Sequence, residues 1–259
     1  MFTRIIMLML IAVLALPVAT LTPPGETTQA PWSDSAVAAK GKKHKKDKPK
    51  TKTVTRTVRG TVTETFISTA PIAFTVAAPN EIQIPASPYP AAIEVSGFTN
   101  GVITDVNLIL TDLTNGFVSD VGVLVSHDDG RRALVMSDVG DGINVTDVDL
   151  TLDDEAAAPL SKTAVSSGTF QPTDFNEGGP ETFPAPAPQP NGSVALSTFD
   201  GTDPNGTWQL WVKDIAGGDP GAIGGWALEI TAEVDASTVE EQVPVTKDKK
   251  HKKKGKKRR

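Results

Sequence analysis

Cysteine is absent from all 259 residues, which removes a disulfide scaffold, a thiolate metal site and a cysteine nucleophile together. Histidine is nearly absent: His44, His127 and His251 are the only three. Two lie inside lysine runs and the third in a predicted turn. No Gly-x-Ser-x-Gly stretch accompanies them, so the activated serine beside a histidine that a serine hydrolase needs has no sequence support. Helix signals are as scarce. Asp153-Asp-Glu-Ala-Ala-Ala starts one turn at most, and Pro159 stops it. Long apolar runs are missing but for one, Ile5 to Leu16, with Arg4 before it and small residues and prolines after. That run falls well short of the roughly 20 residues that span a bilayer. It has the layout of a secretory signal peptide, with cleavage after Ala19 or near Ala30, the alternative being an uncleaved N-terminal anchor. The expected product is secreted, free outside the cell or held at the envelope by charge, and bacterial in style.

Basic residues are nearly missing from the middle of the chain. Between Pro71 and Asp235 only Arg131, Arg132, Lys162 and Lys213 occur, and nearly all the carboxylates sit there. The net charge of -6 hides this segregation. Lys40 to Arg59 carries ten Lys or Arg against one Asp, and Lys247 to Arg259 repeats the same ratio. Such blocks repel themselves and bury nothing, so both arms are expected to be disordered in isolation. The expected organisation is a signal peptide over 1–30, a linker and basic arm over 31–70, one domain over 71–235 and a basic tail over 236–259. Thr51 to Thr65 favours extended structure but lacks apolar alternation, and is expected to be unpacked.

What the middle does have is short alternating apolar runs punctuated by Gly, Pro, Asn and Asp, the texture of an all-β sandwich or barrel. Candidate strands are Ile72–Val76, Ala92–Ser96, Ile103–Thr111, Val121–Val125, Arg132–Ser137, Val145–Leu152, Val194–Thr198, Thr207–Lys213 and Trp226–Ala232. Val106, Leu108 and Leu110 share one strand face, as do Val148, Leu150 and Leu152. Pro180–Gly192 reads as a proline-stiffened connection between the sheets or across one end.

The most specific stretch runs from Phe199 to Ile230. Asp203-Pro-Asn-Gly is a tight turn feeding a strand through Trp208, Leu210 and Val212. A glycine-rich loop, Asp214 to Gly221, leads to a last strand from Trp226, with Leu228 and Ile230 inward. The two strands read as a hairpin whose core is dominated by Trp208 and Trp226. Gly206-Thr-Trp, Asp214, the Gly-Gly-Asp-x-Gly loop and Trp226 together resemble the P/Homo B domain that follows the catalytic domain of kexin- and furin-like proprotein convertases and of many bacterial secreted subtilases. Upstream, Ser119-Asp-Val-Gly-Val-Leu-Val-Ser-His-Asp-Asp-Gly is similar to that family's GDL-x-L-x-SP-x-G strand and turn, with His127 where proline is usual. The resemblance covers about Ile72 to Val234. It implies an eight-stranded jelly roll, a β-sandwich like the galactose-binding domains, which agrees with the strand pattern. It also implies association with a subtilisin-like protease, although a fold resemblance does not carry proteolysis with it.

Calcium is the expected cofactor, because flexible loops rich in carboxylates, Asn and carbonyls suit its oxygen coordination. Three loops offer ligands: Asp138 and Asp141 with Asp147; Asp200, Asp203 and Asn205; and Asp214 with Asp219. Solvated turn aspartates are the simpler alternative. The basic arms suit cell-envelope polyanions, or the acidic domain of the same or another copy, giving salt-sensitive self-association. No aromatic interleaves with the lysines, so sequence-specific nucleic-acid binding is not expected. The expected function is a secreted, non-catalytic binding or stabilising module. The alternatives are an accessory that docks on a separate subtilisin-like serine endopeptidase, and a hydrolase whose site is unrecognised.

Overall fold

The computed structural model describes residues 51–75, 82–216 and 220–244. The signal segment, the linker, the lysine-rich part of the first arm, the tail from 245 and Asp219 lie outside them. Residues 57–239 belong to one compact unit, and the described residues 51–56 and 240–244 to a second. Within the second, Arg56 pairs with Glu241 at 3.3 Å and Gln242 donates to Thr53 at 2.7 Å.

Thirteen strands are present among the described residues: β1 (Thr51–Ser68), β2 (Ile72–Phe74), β3 (Ile82–Pro85), β4 (Ala91–Val95), β5 (Val102–Asn115), β6 (Val121–His127), β7 (Arg132–Ser137), β8 (Val145–Leu152), β9 (Gly168–Phe170), β10 (Thr173–Asp174), β11 (Gly206–Ala216), β12 (Gly221–Ile223) and β13 (Gly225–Pro244). They form two mixed sheets. In the first, β1, β13 and β5 lie side by side, β8 and then β9 follow on the other side of β5, and β12 joins β5 to β2. In the second the order is β10, β7, β6, β11, with β3 and β4 both against the free side of β11. This is the all-β sandwich that the strand texture predicts.

Alternation explains the layering. Val106, Leu108 and Leu110 of β5, Val148, Leu150 and Leu152 of β8, and Leu228 and Ile230 of β13 supply one inner face. Val121, Val123 and Val125 of β6 and Leu210 and Val212 of β11 supply the other. Trp208 and Trp226 are both completely enclosed in this single core. Each fully buried Val, Leu or Ile on these faces contributes roughly 1.5–3 kcal/mol. The look-alike segments beginning at Ile103 and Val145 turn out to be hydrogen-bonded neighbours, with Leu108 opposite Leu152 and Leu110 opposite Leu150.

The structure corrects four expectations. Trp208 and Trp226 do not sit on a hairpin, because β11 belongs to the second sheet and β13 to the first. The chain changes layer between them through β12, where a Cβ on Gly221 would lie 2.0 Å from the Thr114 carbonyl oxygen, so only glycine fits. Val194–Thr198 is not a strand. Leu196–Phe199 forms a 3-10 turn whose entering N–H groups, of Leu196 and Ser197, donate to the Asp154 carboxylate at 2.9 and 2.7 Å. The stretch after the first lysine run is not unpacked: it is β1, an edge strand on β13 whose Val62 and Phe66 rest on the core. An edge strand needs few apolar residues, since only one face is covered.

The fourth concerns the proline-rich segment, which neither bridges the sheets nor caps an end. Phe183 and Ala187 lie against Leu124 and Leu134 and Trp211 on the outer face of the second sheet. Tyr89 joins them, its hydroxyl donating to the Pro184 carbonyl at 2.9 Å and its ring meeting Trp211 edge-on at 5.0 Å. With both faces of the sheet covered, every residue of β6 is buried.

Candidate functional site

The aspartates singled out by sequence are held mainly by the backbone. Asp138, Asp141 and Asp147 all have left-handed φ, 53°, 52° and 50°, a conformation in which Asp is enriched among non-glycine residues. Asp138 is buried and its carboxylate accepts from the Glu177 N–H at 2.7 Å, while Asp141 and Asp147 are exposed. Burial first, and then the negative charges of Glu181, Asp174 and Glu177, push the Asp138 carboxyl up, against the pull of that N–H.

The second predicted group separates. Asp203 caps its own turn by accepting from the Asn205 N–H at 2.9 Å. Asn205 behaves as a misplaced peptide group: its Nδ2 donates to the Phe98 carbonyl at 2.7 Å and its Oδ1 accepts from the Phe98 N–H at 3.1 Å. Asp200 faces other partners. Burial, then Asp105 and Asp154, raise its carboxyl above the usual range. In the third group Asp214 is buried at the end of β11, accepting from Ala216 N–H at 3.1 Å and from Asn115 Nδ2 at 3.3 Å. The Asn115 amide in turn accepts from Phe117 N–H at 2.7 Å, so Asp214 ties β11 to the turn after β5.

Among the described residues no three acidic or histidine side chains converge as a metal site would require. Asn205 and Asp214, the donors most constrained, are already spent on the fold. Asp219, the last of the predicted ligands, lies outside the described residues.

His127 is enclosed, with its two ring nitrogens each 3.3 Å from a carboxylate oxygen, of Asp128 and of Asp129. Its side chain is 3% exposed, against Trp208 with ring centroids 4.9 Å apart. One ring nitrogen lies 3.2 Å from the Asn205 carbonyl oxygen, and the other accepts from Asp129 N–H at 3.5 Å. The adjacent Ser126 points to the opposite face, where its Oγ accepts from Trp211 Nε1 at 2.9 Å.

The feature that sequence reasoning missed opens on that opposite face and includes His127 in its lining. A groove of about 520 Å³ runs beside the proline-rich segment, with Ser126, Gln209, Trp211 and Arg132 along the sheet and Pro90, Pro186 and Pro188 among its walls. The Gln209 amide engages no partner among the described residues. Arg132 is oriented by Nε to the Gln189 carbonyl at 2.5 Å and Nη1 to the Gly130 carbonyl at 3.1 Å, which leaves Nη2 without a partner among the described residues. Asp128 lines the groove as well. The groove therefore offers apolar rings beside an amide, a guanidinium and a carboxylate. The signal was partly present in sequence: Gln209, Trp211 and Lys213 alternate with the core residues Trp208, Leu210 and Val212. An outward tryptophan on a strand asks for a cover, and the proline-rich segment supplies it.

No family model matches the chain, and no curated protein matches it. Among solved structures it is similar to a serine protease of Aeromonas sobria, at 11% identity and a TM-score of 0.30. That match covers 72% of this chain and spans 28% of the length of the protease.

Proposed function

We propose that the protein is an exported, non-catalytic binding or stabilising module of the P/Homo B kind. Its sandwich engages a protein or carbohydrate surface through the groove beside Gln209 and Arg132, while the basic arms add retention on envelope polyanions. The observation that carries this reading is the groove itself: unpaired hydrogen-bonding groups set beside apolar rings, on a sheet that is otherwise covered. The non-catalytic part rests on His127, whose ring is enclosed and whose nitrogens are engaged. The motif resemblance around Gly206-Thr-Trp and Trp226 favours a second reading, docking on a separate subtilisin-like endopeptidase.

Affinity capture of secreted and envelope material, at low and at high salt, distinguishes these readings. The groove reading expects capture that survives high salt and is lost in the Arg132→Ala, Gln209→Ala double variant. Recovery of a subtilisin-like protease at high salt selects docking. If only envelope polymer is recovered, only at low salt and equally by the variant, then the arms alone bind and the groove reading is wrong. Robust turnover of a peptide or glycan panel by the purified protein would overturn the non-enzymatic assignment.

A further inference from the structure

Lys213 is the one fully buried cation among the described residues, at 0% exposure, and it belongs to neither the core nor the groove. It projects from β11 toward the outer face, where its Nζ contacts the Glu181 Oε2, itself on a side chain only 6% exposed. Room for it is built into the sheet. Directly across on β6 stands Gly122, and a Cβ there would come within 2.7 Å of the Lys213 Cε. The Phe183 ring covers the ammonium from 5.0 Å. Glu181 and Phe183 both belong to the proline-rich segment, so the ion pair adds a polar contact to the apolar one that this segment makes with β11 through Trp211.

Two ions held out of water are costly to desolvate, and their attraction repays this only in part. One reaction open to this pair removes both charges at once and needs nothing from outside. We infer that Lys213 and Glu181 join in an intramolecular amide, an isopeptide cross-link between β11 and the proline-rich segment. The Nζ–Cδ bond forms, one Cδ–O bond breaks, and the two protons lost by the ammonium leave with the carboxylate oxygen as water. No oxidant, reductant or cofactor enters. The protons move from Nζ to the departing oxygen across the contact that the two groups already make. The reacting groups are already in contact between a sheet and a proline-stiffened segment, which is the pre-orientation that makes an intramolecular condensation fast. In a chain without cysteine, such a bond restrains the unfolded state as a disulfide would.

Mass spectrometry of the purified full-length protein, denatured and digested, tests this directly. The expected result is a branched peptide containing both Glu181 and Lys213, with the intact chain lighter by one water than its sequence requires. Linear peptides alone, with no water missing, would overturn the proposal and leave an ordinary ion pair. In Lys213→Met the branch must disappear and the mass must return to the full sum; a persisting deficit would place the bond elsewhere and refute it.

Discussion

Asp105 shows what a single carboxylate costs in this domain. It lies half-buried on β5. Burial first, and then the negative charge of Asp153, with Glu229 and Asp154 adding to it, hold its carboxyl above the ordinary 3.8, against the pull of the Val106 N–H. A carboxyl raised by folding means the native state holds its proton more tightly than the unfolded chain does. The associated stability is therefore complete below the ordinary value and is lost as pH rises through the raised one. Asp105→Asn removes the ionisation. The variant should be more stable than the parent at neutral pH, with the advantage shrinking as pH falls below the ordinary value. Urea midpoints at neutral pH and near pH 3 decide it, and an equal advantage at both would rule out the electrostatic cause. At this scale the sequence discloses types and not meetings. Aspartates in turns are legible from Asp-Pro and Asn-Gly spacing. That Asp200 would face Asp105 and Asp154, while Asn205 turned to Phe98, depends on sheet register that no local pattern encodes.

At the scale of elements, legibility follows how strongly a segment alternates. β5, β6, β8 and β11 were readable because buried branched and aliphatic side chains recur every second residue. β1 was not, since its outer face is threonine-rich and only Val62 and Phe66 touch the core. Its attachment to β13 is nonetheless specific. Thr63 bonds Thr231 at 2.8 Å, and Arg59 donates to the Glu233 carbonyl while its Nε lies 3.6 Å from the Glu233 carboxylate. Phe66 meets Phe98 at 5.9 Å between ring centroids. Phe66→Ala should therefore lower stability by about 1–3 kcal/mol, less than a fully enclosed phenylalanine loses. Val58→Ala, at a side chain in a residue 44% exposed on the same strand, should change it by less than about 0.5 kcal/mol. Chemical denaturation of the pair checks this, and silence at both positions would mean that β1 does not dock. The proline-rich segment failed to announce its place for a related reason. Proline predicts an extended path, but the surface that path follows is chosen by Phe183 and Ala187 finding Trp211 and Leu134.

For the whole molecule the governing quantity is the separation of charge. Residues 71–235 hold 24 carboxylates and four basic side chains, and each flanking run holds ten cations. Several of the carboxylates, including Asp105, Asp138 and Asp200, are held above their ordinary range partly by one another, so cations brought near them relieve a repulsion that already exists. The lysine runs supply such cations at the highest density available to the molecule. A run on one copy that reaches the domain of another links the two, and screening alone should undo the link. The range of these forces falls from about 30 Å at 0.01 M salt to about 3 Å at 1 M. Light scattering of the full chain should accordingly show average mass rising with protein concentration in low salt and a constant monomer mass in high salt. Removal of residues 245–259 should lower the low-salt mass toward the monomer without shifting the urea midpoint, because the tail is expected to bury nothing. A mass that ignores salt would show that the arms are satisfied within their own chain or turn to another partner altogether. Compaction that depends on salt but not on protein concentration would then identify the first of these.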